Sequence, residues 1–210
     1  MMRAFNRRAV VNAVTEKLNL QFLAWHYLFL LLFFVTLPFL AGILPIVRFT
    51  DEQINIRVFK DHVEMQGTYV YQNPFPFPVV QGLAVPLPID ADHPTPVQIS
   101  ARQQGPKQKP LVTRYLLGRH RFNLFFKANE RIQIAVEYRQ QTPKKTAIYL
   151  LTTTQPWKHP IQKGVYRLVP QQVVITHSNY ALKPEGNHHF RFERQNFMPQ
   201  EDWYFTWKVN

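Results

Sequence analysis

The side chains able to do chemistry in this sequence are histidines, serines, carboxylates and a set of aromatic and basic residues, and their spacing decides what each can support. His188 and His189 stand between Glu185 and Glu193, a grouping that invites a metal site. In an extended strand, however, successive side chains point to opposite faces. His189 then shares its face with Arg191 and Glu193, and the arginine occupies the position where an i, i+2 second ligand is needed. His62, His93, His120, His159 and His177 are scattered, and no metal or cofactor site is expected. Ser100 and Ser178 are the only serines, and neither lies in a G-x-S-x-G turn. His177 directly precedes Ser178, so in a strand the two face apart and cannot form a nucleophile and base pair.

Paired carboxylates for glycoside cleavage must face each other across a sugar. Glu201 and Asp202 are instead adjacent and read as caps at the start of the last strand; Glu137 could meet one of them only across a sheet, a pairing that the sequence does not show. No catalytic residue is expected, and the chain reads as a non-enzyme.

Aromatic and basic residues give the stronger hint. Trp157 lies in the Pro-bounded segment Gln155-Pro156-Trp157-Lys158-His159-Pro160, where an exposed ring can make contacts. Arg191 and Arg194 interleave with Phe190, Phe192 and Phe197, while Lys107, Lys109, Lys144 and Lys145 occupy polar, Pro-containing segments that read as loops. Together these form a candidate surface for a partner protein or an acidic polysaccharide. Trp203, Phe205 and Trp207 share one face of the C-terminal strand and are expected in the core.

The elements that must position these residues begin with an apolar run, Phe22 to Val47, that contains no Asp, Glu, Lys or Arg. Wholly helical, it would reach about 39 Å, enough for a hydrocarbon layer of roughly 30 Å, so residues 22–47 read as one transmembrane helix. It is too long for the apolar region of a cleaved signal peptide. Arg3, Arg7, Arg8 and Lys17 against Glu16 make residues 1–21 a basic flank, which the positive-inside rule keeps in the cytoplasm. The expected address is the inner cell membrane, crossed once, with residues 48–210 periplasmic or otherwise extracytoplasmic.

That remaining segment alternates with period two: Ile54, Ile56 and Val58; Val63, Met65, Tyr69 and Tyr71; Ile132, Ile134, Val136 and Tyr138. Seventeen prolines disfavour helices, and turn signals recur at strand-length intervals. The fold class is therefore mainly β: one N-terminal transmembrane helix followed by a single antiparallel β-sandwich of Greek-key type. Val85-Pro86-Leu87-Pro88-Ile89 belongs at a sheet edge, because two ladder donors are missing. Phe75 and Phe77, in a Pro-rich connection, are expected to plug the end of the sandwich, the alternative being that they face a partner.

There is no cysteine, which excludes disulfides and thiolate chemistry. A formal net charge of +12 would suit nucleic acid, but an extracytoplasmic domain meets lipid headgroups, acidic glycans and acidic protein surfaces instead. The sequence thus points to a non-catalytic accessory or assembly subunit of an envelope membrane complex, with an acidic-glycan-binding module as the alternative. The expected partners are the lipid bilayer and a membrane or envelope protein, with acidic polysaccharide in the alternative and no nucleic acid.

Overall fold

A computed structural model describes residues 22–23, 25–32, 45–116, 118–186 and 188–209. The basic flank with Arg3, Arg7, Arg8 and Lys17, and much of the apolar run, lie outside the described residues. Residues 22–23 and 25–32 are helical, and among the described residues no helix is long and apolar enough to cross a membrane.

From Arg48 onward the described residues form fourteen strands and one 3-10 helix. In chain order the strands are β1 (Arg48–Val58), β2 (His62–Gln72), β3 (Val79–Val85), β4 (Gln98–Gln103), β5 (Lys109–Pro110), β6 (Arg114–Leu116) and β7 (Arg119–Phe126). There follow β8 (Arg131–Gln141), β9 (Thr146–Tyr149), the 3-10 helix η1 (Thr152–Trp157), β10 (Ile161–Pro170), β11 (Val173–Ser178), β12 (Lys183–Pro184), β13 (Phe190–Phe197) and β14 (Trp203–Val209). The large sheet has the order β12-β13-β10-β1-β2-β8-β4-β5, and two three-stranded sheets have the orders β11-β14-β9 and β3-β7-β6.

The expected period-two faces are buried as read: Ile54, Ile56 and Val58 on β1, Met65, Tyr69 and Tyr71 on β2, and Ile132, Ile134, Val136 and Tyr138 on β8. Trp203, Phe205 and Trp207 from β14 join them, and the inward faces of all three sheets meet in one core. Trp203 stands edge-on to Phe192, 4.9 Å between centroids, which links β14 to β13 across the layers.

Three expectations are corrected. The domain is mainly β, but its large sheet is mixed rather than antiparallel, because β1 and β10 run parallel from Asp51 opposite Lys163 to Val58 opposite Pro170. A parallel pair needs a long crossover, which the strands between β1 and β10 supply. Three sheets, rather than the two of a simple sandwich, enclose the core. Finally, Phe75 and Phe77 do not plug an end; both are exposed and stack on each other at 5.1 Å.

The proline-rich edge behaves as its chemistry demands. β3 stops at Val85, before Pro86 and Pro88, and forms one edge of its sheet. The last residues of the apolar run belong to the β domain: Val47 is buried, and the Gln81 side-chain oxygen accepts hydrogen bonds from the backbone N–H of Ile46 (2.8 Å) and Val47 (3.4 Å).

Candidate functional site: a cleft floored by Glu52

Continuing the alternation of Ile54, Ile56 and Val58 backwards along β1 puts Glu52 on the core face, and it is only 4% exposed. Its neighbours are set by register. Glu52 lies opposite Tyr69 on β2 and Gly164 on β10, while Ile54 lies opposite Gly67 on β2 and Tyr166 on β10. Each flanking strand thus carries a Gly-x-Tyr unit, Gly67-Thr68-Tyr69 and Gly164-Val165-Tyr166. In both, the tyrosine ring lies back over its glycine: a Cβ at Gly67 would sit 2.4 Å from the Tyr69 hydroxyl, and one at Gly164 would sit 2.6 Å from that of Tyr166.

The folded-back rings bring hydroxyls to the carboxylate. Tyr166 donates to Glu52 Oε2 at 2.7 Å, and Tyr149, reaching over from β9, donates to Oε1. The Tyr69 and Tyr149 hydroxyls are 3.1 Å apart, and since Tyr149 spends its proton on Glu52, Tyr69 is the donor of that pair. Burial pushes the Glu52 carboxyl up to about 7, against the opposing pull of the Tyr149 and Tyr166 hydrogen bonds. Burial and the Glu52 carboxylate together hold the hydroxyls of Tyr69, Tyr149 and Tyr166 far above the usual phenol range.

Above Glu52 opens a cleft of about 270 Å³. Phe49, Tyr71 and Trp157 form one aromatic wall, with Trp157 centred 5.9 Å from Phe49 and 5.4 Å from Tyr71. The free edge of β3, together with Arg119 and Arg121 of β7, lines the other side, and Pro45 also borders the cleft. Trp157 is positioned by η1, whose first residue is tied across the fold: Asp202 Oδ1 accepts from both the backbone N–H and the hydroxyl of Thr152, each at 2.8 Å. Lys158 then ends the turn in a left-handed conformation, φ 55°.

Chemically the cleft presents flat rings, which can take an apolar or sugar face, and arginines, which can take an anion, above a buried carboxyl whose two oxygens accept from Tyr149 and Tyr166. Glu52 is the one acidic side chain among the described residues lining the cleft, so no carboxylate pair faces across it.

The other sequence candidates are dispersed. Arg191 and Arg194 line a separate depression with Glu185 and Glu193. Arg191 bonds to both Glu185 and Glu193, Arg167 joins Glu185 at 2.9 Å, and Arg194 lies over the rings of Phe192 and Tyr180. Lys107 is exposed in the β4–β5 connection, Lys109 is exposed but begins β5 opposite Gln103 rather than lying in a loop, and Lys144 and Lys145 sit in the turn between β8 and β9. None of these lysines borders the cleft with Trp157. Ser178 is engaged structurally, donating to the Tyr180 carbonyl and accepting from the Trp203 indole at 3.1 Å. His188 sits in a turn with φ 61°, away from any strand face it would share with a ligand partner.

Glu52, Arg119, Arg121 and the Gly-x-Tyr units were not among the sequence candidates. The readable signal for Glu52 was a carboxylate in phase with an apolar alternation, and for the tyrosines a glycine two residues ahead of each.

No protein-family model matches the chain, nor does any curated protein sequence. Among solved structures, the fold is shared with a Legionella pneumophila protein provisionally described as nutrient-binding, at a TM-score of 0.62 and 13% identity over 78% of this chain and 67% of that one. An M1 zinc metallopeptidase from Deinococcus radiodurans aligns at a TM-score of 0.45 and 11% identity, covering 76% of this chain and 42% of the peptidase. At 13% identity the first of these likenesses shows a shared β fold and nothing narrower.

Proposed function

We propose that this chain is a single-pass, membrane-anchored, non-catalytic accessory subunit of an envelope complex, with its N-terminus in the cytoplasm and its β domain outside. The β domain takes its protein partner in the Trp157–Glu52 cleft. The observation that carries this reading is that Pro45, near the end of the apolar run, borders the same cleft as Trp157. A partner bound there touches the domain at the point where the anchor joins it, so one contact fixes both the partner and the height of the domain above the bilayer. Further support comes from the apolar run itself and from the exposed Phe22, Trp25, Phe29 and Leu31 of its helical residues, side chains that lipid would cover.

The test is lysine crosslinking and mass spectrometry on the full chain taken from native membranes in mild detergent. Lys158, exposed beside Trp157, should carry crosslinks to a stoichiometric membrane or envelope protein. A monomer without crosslinked protein overturns the reading.

A second reading, recognition of an acidic glycan, rests on a different set of arginines than the sequence suggested. Arg119 and Arg121 share the cleft with Trp157, whereas Arg191 and Arg194 do not. Binding of an acidic polysaccharide that collapses with added salt and with Arg121→Ala is its signature.

A further inference from the structure

The register of three strands gathers an exposed apolar surface at the end of the domain where the apolar run enters. Arg48, the first residue of β1, lies opposite Gln72, the last of β2, and Gln72 lies opposite Arg131, the first of β8. The chain leaves Gln72 into the tip Asn73–Pro78 and returns at Val79, which pairs with Phe126 at the end of β7. Gln81, which holds the backbone of Ile46 and Val47, is two residues, about 7 Å, along β3 from that point.

The tip is rigid. Asn73 is fully buried; its side-chain amide donates to the carbonyls of Phe77 and Lys127, both at 2.8 Å, and its oxygen accepts from the N–H of Phe75 at 3.0 Å. The N–H of Asn129 adds a bond to the Phe75 carbonyl, 2.9 Å, and Pro74, Pro76 and Pro78 restrict the backbone between. So held, Phe75 and Phe77 stack on each other facing water, with Phe77 54% exposed. Val80 and Phe125, opposite each other across β3 and β7, continue the apolar surface on the outer face, Phe125 being 61% exposed. Aromatic rings that are rigidly presented to water without a packing role mark an interaction surface. Arg48 and Lys127 are exposed at this end too, and their positive charge suits anionic headgroups.

We infer that Phe75, Phe77, Val80 and Phe125 form a membrane-contact tip that dips into the headgroup and upper acyl region of the leaflet from which the apolar run emerges. This rests on the reading of that run as a membrane span. The occupant is lipid rather than protein because the anchor joins the domain at this same end, so the bilayer is the surface already held against it. Two attachments, helix and tip, would fix the tilt of the domain and the direction in which the Trp157 cleft opens.

The absence of cysteine permits a direct test on the full chain. Three variants, Phe77→Cys, Phe125→Cys and Lys60→Cys, are labelled with an environment-sensitive fluorophore and reconstituted into phosphatidylcholine–phosphatidylglycerol vesicles. Lys60 lies in the turn after β1, about 33 Å along the strand from Arg48. The expected result is blue-shifted emission at positions 77 and 125, with lipid-borne quencher acting at least about threefold more strongly there than at position 60. Water-accessible probes at 77 and 125 on a chain that resists carbonate extraction overturn the tip and leave the anchor standing. Shielding from iodide without quenching by lipid means that protein, such as a second copy, covers the rings, and this also overturns it. Release of the full chain by carbonate removes the anchor reading and the tip with it.

Discussion

Tyr166 reaches Glu52 only because its ring lies back over Gly164, the residue directly opposite Glu52 on β10. A Cβ at position 164 would fall 2.6 Å from the tyrosine hydroxyl, the very group that donates to the carboxylate. The same arrangement on β2 puts the Tyr69 ring over Gly67, so both strands flanking β1 must leave this space open.

Gly164→Ala should therefore push the Tyr166 ring off its bond to Glu52, leaving a buried carboxyl with one fewer donor. The expected loss is about 1 to 3 kcal/mol, read as a lower unfolding midpoint of the full chain in mild detergent. Gly105→Ala, where an added Cβ meets nothing nearer than 4.0 Å, should leave the midpoint within about 0.5 kcal/mol of the parent.

Asp202→Ala should act at a distance. It removes both acceptor contacts to Thr152 and frees the start of η1, at a cost of about 0.5 to 2 kcal/mol. Trp157, at the far end of the same 3-10 helix, then loses its fixed place against Phe49 and Tyr71. Partner crosslinks through Lys158 should weaken in Asp202→Ala and in Trp157→Ala alike, whereas Arg191→Ala, on a separate surface, should leave them unchanged.

Arginines divide the glycan reading from its sequence-based form. Arg191 already satisfies two carboxylates and lines a different depression from Trp157. Arg191→Ala should not alter affinity for an acidic polysaccharide, while Arg121→Ala should lower it about tenfold and flatten its salt dependence, as isothermal titration at two ionic strengths would measure.

Most of the β content was legible because period-two burial on β1, β2, β8 and β14 is written directly in residues such as Ile54, Met65, Ile134 and Phe205. Pairing was not. The parallel contact of Asn55 with Arg167 joins residues more than a hundred positions apart, and neither strand's local pattern encodes its neighbour. The cleft stayed hidden for a related reason. Trp157 was singled out in sequence, but Glu52 on β1 and Arg119 and Arg121 on β7 come from two different sheets, and their meeting beside it depends on how those sheets pack. For Arg191 and Arg194, Glu193 and Phe192 were legible as neighbours two residues along the same strand, whereas Glu185 and Tyr180 reach them only through folding.

The carboxyl of Glu52 should also write itself into the pH dependence of stability. Burial raises it from an ordinary 4.5 to about 7, so between those values the folded chain holds a proton that the unfolded chain has released. By linkage, stability then falls as pH rises through this window, with a total change of roughly 3 kcal/mol from this one group, fully retained below pH 4.5 and lost above pH 7. Asp61, Asp90 and Glu185 are shifted in the opposite direction, downward through hydrogen bonds from His62, from His93, and from Arg167 and Arg191 respectively. Their contributions disappear only below the ordinary carboxylate range and so leave the window of Glu52 clear. Glu52→Gln keeps an acceptor for one tyrosine and offers an amide donor to the other, but cannot ionise. Its unfolding midpoint should be nearly flat between pH 5 and pH 8, while that of the parent chain declines across the same interval. Parallel pH profiles for the two chains would mean that the Glu52 carboxyl does not titrate between the folded and unfolded states in this range.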